Sequence, residues 1–234
     1  VPCLEAPRVV DRPDVFEMLT WRDGEDPVAL ASGLIGAAGT AAIGDQTWAG
    51  FLVDFTSAMP GTSFSRASAI TAPLRMVKDA AEVDALRRAA AAVDRILADV
   101  QAGNVVLAGR TEAAVAAEIA QRILDEGHRK VNFTIVASGP NAASPHHEAA
   151  DRVIRDGEGV LFDIGGTMDG ADGVGYCSDI TRCVHLGEPP SGFAELYEVL
   201  HEAQAAGVAA ATVGTPCEDV DAAARRGIGD GGYG

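Results

Sequence analysis

One stretch, residues 159–187, constrains the fold of this chain more than any other and reads GVLFDIGGTMDGADGVGYCSDITRCVHLG. It predicts two strands, at residues 160–164 and 176–184, joined by a glycine-rich connection. Each strand carries one acid, Asp163 or Asp179. A carboxylate within a buried strand is costly unless a cation or a hydrogen-bond donor meets it, and two neighbouring carboxylates repel each other. The pattern therefore predicts a metal site with Asp163 and Asp179 as ligands.

The alternation of side chains along a strand sharpens this prediction. Asp179 shares its face with Cys177, Thr181 and Cys183. If that face coincides with the face of Asp163, both carboxylates enter one pocket. Hard oxygen ligands suit Mn, Co, Zn or Mg. Because two carboxylates alone do not hold a hydrolytic metal tightly, further ligands are required, usually with a histidine among them.

His146 is the candidate histidine for the same pocket. It follows a turn at residues 138–141 and precedes the strand of Asp163. Such a histidine serves as a metal ligand, a general acid or a donor to a substrate carbonyl, and the simpler alternative is a surface loop residue. The neighbouring Pro145 and His147 favour a functional role. The remaining histidines are expected to face solvent (His128, His185 and His201).

The glycine-rich run at residues 165–175 invites other interpretations. It does not match the phosphate-binding pattern GxxxxGK[ST], and it lacks the ligand alternation of an EF-hand. A flexible hairpin connection is the prediction, with Asp169 and Asp172 as solvated turn residues.

Composition narrows the class of protein. Acids outnumber bases 34 to 18, for a net charge of −16, which argues against nucleic acid or an anionic membrane as a partner. A signal peptide and a long apolar run are both missing from the sequence, so a cytoplasmic location is expected. Because the four cysteines lack CxxC spacing, neither a zinc ribbon nor a disulfide framework is predicted. Cys177 and Cys183 are expected to be buried, inert thiols.

The chain is predicted to have two parts. Residues 1–73 form a small α/β unit, and residues 74–234 form the larger part. The predicted elements of the first part are strands at 8–10 and 41–44, helices at 27–34 and 47–59, and an extended segment at 65–73. Asp26 is the predicted cap of the first helix, with Pro27 at its first position.

The larger part begins with a capping-box pattern at Asp79 and Glu82, which starts a helix to about residue 101. Thr111 is the predicted cap of a second helix that stops at Gly127. The other predicted elements are a strand at 131–137, the two acidic strands, and helices at 193–213 and from 218 to about 228. This order predicts an α+β fold, with an antiparallel sheet covered by helices on one face.

Taken together, the residues resemble a known family. SGPNAA, His146, VLFDIGG and GYCSDITR, in this order, are similar to the metallopeptidases of the pita-bread fold, and within them to the Xaa-Pro aminopeptidase and prolidase branch. The resemblance covers nearly the whole chain. Upstream, residues 21–27 resemble the end of that family's amino-terminal domain, and residues 74–87 and 89–96 resemble the first helix of its catalytic domain.

The resemblance implies a centre of two divalent metal ions (Mn, Co or Zn), in which Asp163 contacts one metal and Asp179 contacts both. It implies hydrolysis of the peptide bond before proline by a hydroxide that bridges the metals. His146 would hydrogen-bond the substrate and stabilise the tetrahedral intermediate. Arg182 would have a supporting role, and the intact protein would be a homodimer acting on proline-containing peptides.

Two departures from the family pattern matter. The connection between Asp163 and Asp179 is longer than usual, so residues 167–173 are expected to bulge outward. The family's remaining metal ligands, one histidine and two glutamates, are expected beyond Gly234. The chain is therefore expected to be an incomplete piece that carries at most half of the metal site and is inactive alone.

Other functions on the same fold remain open. Creatinase-like C–N hydrolases lack the metal carboxylates, and the retention of Asp163 and Asp179 argues against that activity. Metal-dependent lyases keep these ligands. A non-catalytic scaffold or binding module is the alternative from outside the enzymes.

Overall fold

The computed structural model describes residues 1–9, 12–37, 39–144, 146–171 and 173–233. It divides into two compact units, of which the first is Val1–Lys78 and the second begins at Asp79. None of the helices within these described ranges is long and apolar enough to cross a membrane.

The first unit is a small α/β structure. Its elements are a 3-10 helix at Ala6–Arg8, α1 (Pro27–Ile35), β1 (Thr40–Ile43), α2 (Ala49–Ala58), β2 (Ser63–Arg66) and α3 (Ser68–Met76). β1 and β2 pair in parallel. The predicted cap of α1 is confirmed, because the Asp26 side chain accepts a hydrogen bond from the Val28 amide at 2.8 Å and Pro27 opens the helix.

Two predictions in this unit are wrong. The segment predicted to be extended over residues 65–73 is extended only as far as Arg66, where β2 ends, and α3 follows. The start of α3 is held by Asp45, which accepts hydrogen bonds from the Ser68 amide at 3.1 Å and the Ser68 hydroxyl at 2.8 Å. The strand predicted at residues 8–10 is replaced by a 3-10 helix that contains Pro7 and ends at Arg8. Val10 lies outside the described residues.

The second unit contains the sheet that carries the candidate site. Its main elements are α4 (Ala80–Gln101), α5 (Glu112–Asp125), β3 (Lys130–Ser138), β4 (Gly159–Asp169), β5 (Gly175–Cys177), β6 (Ile180–His185), α6 (Phe193–Ala210) and α7 (Cys217–Asp230). Both predicted helix starts are confirmed. Asp79 and Glu82 form a reciprocal capping box on α4, and the Thr111 hydroxyl accepts from the Ala114 amide at the start of α5.

β4 is the centre of the antiparallel sheet. It pairs with β3 along one edge and with β5 and then β6 along the other. Its alternate residues Phe162 and Ile164 are fully buried in one apolar cluster with Leu97 of α4 and Ile119 and Ile123 of α5. The predicted α+β fold, a sheet with helices on one face, is thereby confirmed. Since side chains alternate along a strand, Asp163 lies on the opposite face of β4.

The predicted pair of strands differs in detail. β4 does not stop at residue 164, because it continues through Gly165 and Gly166 to Asp169. Residues 167–169, the first part of the expected outward bulge, instead pair with β5 as a regular extension of the hairpin. Asp169 is therefore a strand residue paired with Arg129 at 3.0 Å, and Asp172 lies outside the described residues.

The second predicted strand is broken in two at Ser178 and Asp179. Ser178 lies against β4, where its amide donates to the Gly166 carbonyl at 2.9 Å and its hydroxyl accepts from the Gly166 amide at 3.1 Å. A Cβ on Gly165 would lie 2.4 Å from the Ser178 carbonyl oxygen. The two glycines therefore permit a close backbone approach, and they do not form the flexible connection that the sequence predicts.

Candidate functional site

The structure brings the three predicted site residues to one cavity. His146, Asp163 and Asp179 line a cavity of about 680 Å³ on the sheet face that the apolar cluster leaves free. Phe133 and Ile135 of β3 contribute its apolar wall. His147 and Glu148 also line the cavity, so the site combines three acids and two imidazoles on an apolar background, which is the general make-up of a small-ligand site.

Asp163 stands in the middle of β4, directly opposite Thr181 of β6. The Thr181 hydroxyl donates to Asp163 Oδ1 at 2.9 Å. The carboxylate is partly exposed, and its Oδ2 has no donor among the described residues. One oxygen is thus oriented by the neighbouring strand, while the other is free to bind a ligand.

Asp179 occupies the break between β5 and β6, and its side chain is exposed. The break turns the preceding Ser178 inward, where it is 3% exposed, and Asp179 outward to the cavity. Within the described ranges, no side chain or backbone donor bonds to the Asp179 carboxylate. The position of this acid is therefore set by Ser178 and the backbone, and its two oxygens remain available.

His128 stabilises this break through a contact with Ser178. The sequence predicts a solvent-facing residue, but the ring is 3% exposed. Its Nδ1 lies 3.2 Å from the Ile123 carbonyl and its Nε2 lies 2.9 Å from the Ser178 hydroxyl. Because a carbonyl only accepts, Nδ1 carries the proton and Nε2 accepts from Ser178. Burial lowers the pKa of His128, which favours this neutral form.

His146 enters the cavity from a loop with unusual backbone geometry. Among the described non-glycine residues, only His146 has a positive φ, at 58°. Its side chain is exposed, and Pro145 before it lies outside the described residues. A histidine in the left-handed region is uncommon and persists when neighbouring contacts fix it.

A buried carboxylate that the sequence did not single out lies beneath this loop. Glu112, at the first position of α5, is fully buried. It accepts hydrogen bonds from the Ser138 amide and hydroxyl, both at 2.7 Å, and lies 2.8 Å from His147 Nε2. From the sequence alone, Glu112 looks like an ordinary acid in the first turn of a helix, so its burial carries no local signal.

An ion pair extends these contacts to the end of the loop. Arg152 donates to the Ser138 hydroxyl at 2.5 Å and to both carboxylate oxygens of Glu158, at 2.9 and 2.5 Å. The side-chain hydrogen bond from Arg152 is the main cause that lowers the pKa of Glu158 to about 2. The pair therefore stabilises the fold at neutral pH.

This ion pair has a testable pH dependence. Because the pKa of Glu158 falls from 4.5 when unfolded to about 2 when folded, its contribution is fully present above pH 4.5 and is lost as the pH falls through 2. Glu158→Gln is expected to lower the free energy of unfolding at pH 7, and the difference from wild type should shrink between pH 4.5 and pH 2. Urea unfolding followed by circular dichroism measures this, with the exposed Glu198→Gln as control. A difference that is constant over that pH range would contradict the assignment.

The cysteines and Arg182 complete the surroundings. Cys177 is exposed, which contradicts the expected burial, whereas Cys183 is partly buried and burial raises the pKa of its thiol. Arg182 donates to the Thr181 carbonyl at 2.9 Å and lines a second cavity of about 780 Å³, which Asp179 also borders. Arg182 does not line the cavity that holds His146.

The donor set fits a divalent cation only in part. Carboxylate oxygens are suitable ligands, and Asp163 and Asp179 offer unbonded oxygens on one cavity wall. No group of three or more His, Cys, Asp or Glu side chains that could hold a metal occurs in the part of the chain that the structure describes. The two aspartates therefore fit a metal centre as members of a larger ligand set.

The carboxylates and imidazoles that line this cavity are of the residue types that hold the metal in metal-dependent hydrolases. Residues 84–234 match metallopeptidase family M24, and the chain belongs to that family. The predicted resemblance to pita-bread metallopeptidases is confirmed.

Individual relatives are named as peptidases. The chain is 45% identical over 213 residues to the probable dipeptidase PepE of Mycobacterium tuberculosis. The aligned stretch covers 91% of this chain and 55% of the relative. The solved dipeptidase from Pyrococcus horikoshii is 33% identical, with a TM-score of 0.88 over 100% of this chain and 63% of that one. A prolidase from Thermococcus sibiricus is 33% identical, with a TM-score of 0.87 over 100% and 63%. The chain thus spans about half the length of the curated PepE relatives.

Proposed function

We propose that this chain contributes to an Xaa-Pro metallo-exopeptidase of the aminopeptidase P or prolidase type. The observation that carries the proposal is the convergence of His146, Asp163 and Asp179 on one cavity in a chain of metallopeptidase family M24. Because the chain spans about half the length of its PepE relatives, the activity is assigned to the complete catalytic unit. Residues 1–234 alone are proposed to be inactive.

Asp163 and Asp179 are proposed to hold divalent metal, with two ions of Mn, Co or Zn in the complete unit. When bound, such ions polarise the scissile carbonyl and lower the pKa of water. Thr181 supports this role of Asp163, because its hydroxyl occupies Oδ1 and leaves Oδ2 without a donor among the described residues. The exposed, unbonded carboxylate of Asp179 supports the same role from the neighbouring break.

His146 is proposed to act on the substrate. Its exposed ring borders the same cavity as the two acids, so an imidazole N–H is available to the carbonyl oxygen of a bound peptide. A donor aimed at this oxygen stabilises the negative charge that develops as the carbonyl becomes tetrahedral. The apolar wall formed by Phe133 and Ile135 supplies a surface suited to a proline ring.

We also propose a cytoplasmic location and a homodimeric assembly. All four cysteines are free thiols, which suits a reducing cytoplasmic compartment. The strongly acidic composition supports the exclusion of nucleic acid and anionic membranes as partners. A homodimer of the intact protein rests on the family resemblance alone.

The proposal is tested with the protein that contains the complete catalytic unit. This protein is first freed of metal and then loaded with Mn or Co. We expect cleavage of Xaa-Pro dipeptides or longer Xaa-Pro peptides and loss of cleavage on chelation. Matched Xaa-Ala peptides report whether proline is required. Equal cleavage of both series would contradict the proline specificity. If the metal-loaded protein cleaves neither series, the alternative function, a non-catalytic binding module, is favoured. The incomplete ligand set of the described residues also supports that alternative.

A further inference from the structure

The His146 loop is anchored at both ends to the first turn of α5. On the incoming side, the backbone amide of Ser138 donates to the Glu112 carboxylate. On the outgoing side, the Glu112 amide donates to the Arg152 carbonyl at 2.9 Å and the Ala113 amide donates to the Ala150 carbonyl at 3.0 Å. These contacts fix the ends of the loop. They do not reach His146, so its left-handed backbone needs a stabilising contact from a residue nearer to it.

The nearest such contact is the side chain of His147. Its ring is only 16% exposed, and Nε2 lies 2.8 Å from Oε2 of the fully buried Glu112. Asn141 donates to both oxygens of the same carboxylate, at 3.2 and 3.1 Å. Glu112 therefore ties together residues before and after the loop and also the residue adjacent to His146.

The carboxylate has the charge needed for this role. Burial alone would raise the pKa of Glu112, but hydrogen bonds from Ser138, His147 and Asn141 outweigh it and hold the pKa below the ordinary value. The first turn of a helix also favours a negative charge. Since an ionised carboxylate only accepts hydrogen bonds, His147 Nε2 must carry a proton.

We propose that Glu112 is a positioning residue that acts through His147 to fix the backbone of His146 and so aims its imidazole into the cavity of Asp163 and Asp179. His147 borders the same cavity, but its Nε2 is held by Glu112 and its side chain is only 16% exposed, so the exposed ring of His146 is the imidazole that can reach a ligand there. The catalytic consequence rests on the proposed function, but the positioning itself does not. A carboxylate that only joined α5 to β3 would not need His147.

The positioning is measured first by NMR on this chain labelled with 15N in histidine. In the wild type, we expect His147 to show a protonated Nε2 and His146 to give one set of ring signals. Glu112→Gln should remove the first feature and shift or broaden the signals of His146. His147→Gln tests the same link more gently, because it leaves Glu112 bonded to Ser138 and Asn141.

The matched control is Glu118→Gln. Glu118 lies on the same helix and is ion-paired with Arg110 at 2.6 Å and Arg122 at 2.9 Å, away from the His146 loop. The Glu118→Gln variant should leave the chemical shifts of the His146 ring unchanged. If Glu118→Gln disturbs His146 as much as Glu112→Gln does, or if His147→Gln leaves His146 unchanged, the proposal is overturned.

Activity of the completed, metal-loaded enzyme gives the second readout. Misplacing a substrate-facing group by about 1 Å costs on the order of 100-fold, so Glu112→Gln is expected to lower kcat by roughly 10- to 100-fold with KM little changed. The double variant with His147→Gln should be no worse than the more severe single variant, since both act through one contact. Additive losses would overturn the proposal. If peptidase activity is missing but His146 moves in the NMR spectra, the positioning stands and only the proposed function fails.

Discussion

Asp179→Asn is expected to lower kcat/KM of the completed enzyme for an Xaa-Pro peptide by at least about 100-fold, because removal of partners that merely support metal ligands already costs 10- to 100-fold. Asparagine keeps the size of the side chain but removes the negative charge and replaces one oxygen donor with an amide nitrogen. Since the carboxylate is exposed and unbonded among the described residues, its loss should not disturb the fold. The effect should therefore appear in metal affinity and activity and be missing from thermal unfolding.

The control for this variant is Asp169→Asn on the same hairpin. Asp169 is also an exposed acid, but it pairs with Arg129 and lies outside the cavity of the candidate site. It should retain the activity and the metal affinity of the wild type. Titration with Mn or Co by calorimetry, together with peptide hydrolysis, separates the two variants. Full activity of metal-loaded Asp179→Asn would sink the assignment of Asp179 as a ligand and, with it, the metallopeptidase mechanism.

What the sequence predicts well is encoded over a few residues. The helix starts at Asp26, Asp79 and Thr111 are confirmed because each cap bonds to an amide two or three residues further along the chain. The α+β order follows from such local signals and from hydrophobic periodicity. The acids of the candidate site can also be recognised from the sequence. A carboxylate in an apolar strand is costly to bury, and this holds whatever form the rest of the fold takes.

What the sequence did not predict depends on contacts between distant segments. The start of α3 is held by Asp45, which lies 23 residues before Ser68. The break at Asp179 depends on Ser178, whose hydroxyl meets His128 across 50 residues of chain. A run such as GYCSDITRCV satisfies strand propensity throughout, so only the packing against β4 shows where it is interrupted. Burial of Glu112 is hidden for the same reason.

Gly165→Ala is expected to destabilise the second unit by about 3 kcal/mol or more, at the upper end of the cost of overpacking. The added Cβ would lie 2.4 Å from the Ser178 carbonyl oxygen and 2.7 Å from the Phe133 ring. The ring can turn, but the carbonyl belongs to the backbone that sets the break before Asp179. Relief of the clash therefore requires β4 and this break to separate, which would also displace the Asp179 carboxylate.

The matched control is Gly229→Ala in α7, where an added Cβ meets nothing within 4 Å and alanine should be neutral or stabilise the helix by up to about 1 kcal/mol. Both tryptophans, Trp21 and Trp48, lie in the first unit, so tryptophan fluorescence would not report on this change. Urea unfolding followed by circular dichroism, with hydrogen exchange of the β4 amides, is the suitable measurement. A Gly165→Ala variant within about 0.5 kcal/mol of wild type, the range of ordinary surface substitutions, would show that β4 and Ser178 do not need this close approach. A large loss of stability, with faster exchange confined to the sheet, would show that the glycine pair is what allows Ser178 to turn inward and Asp179 to face the cavity.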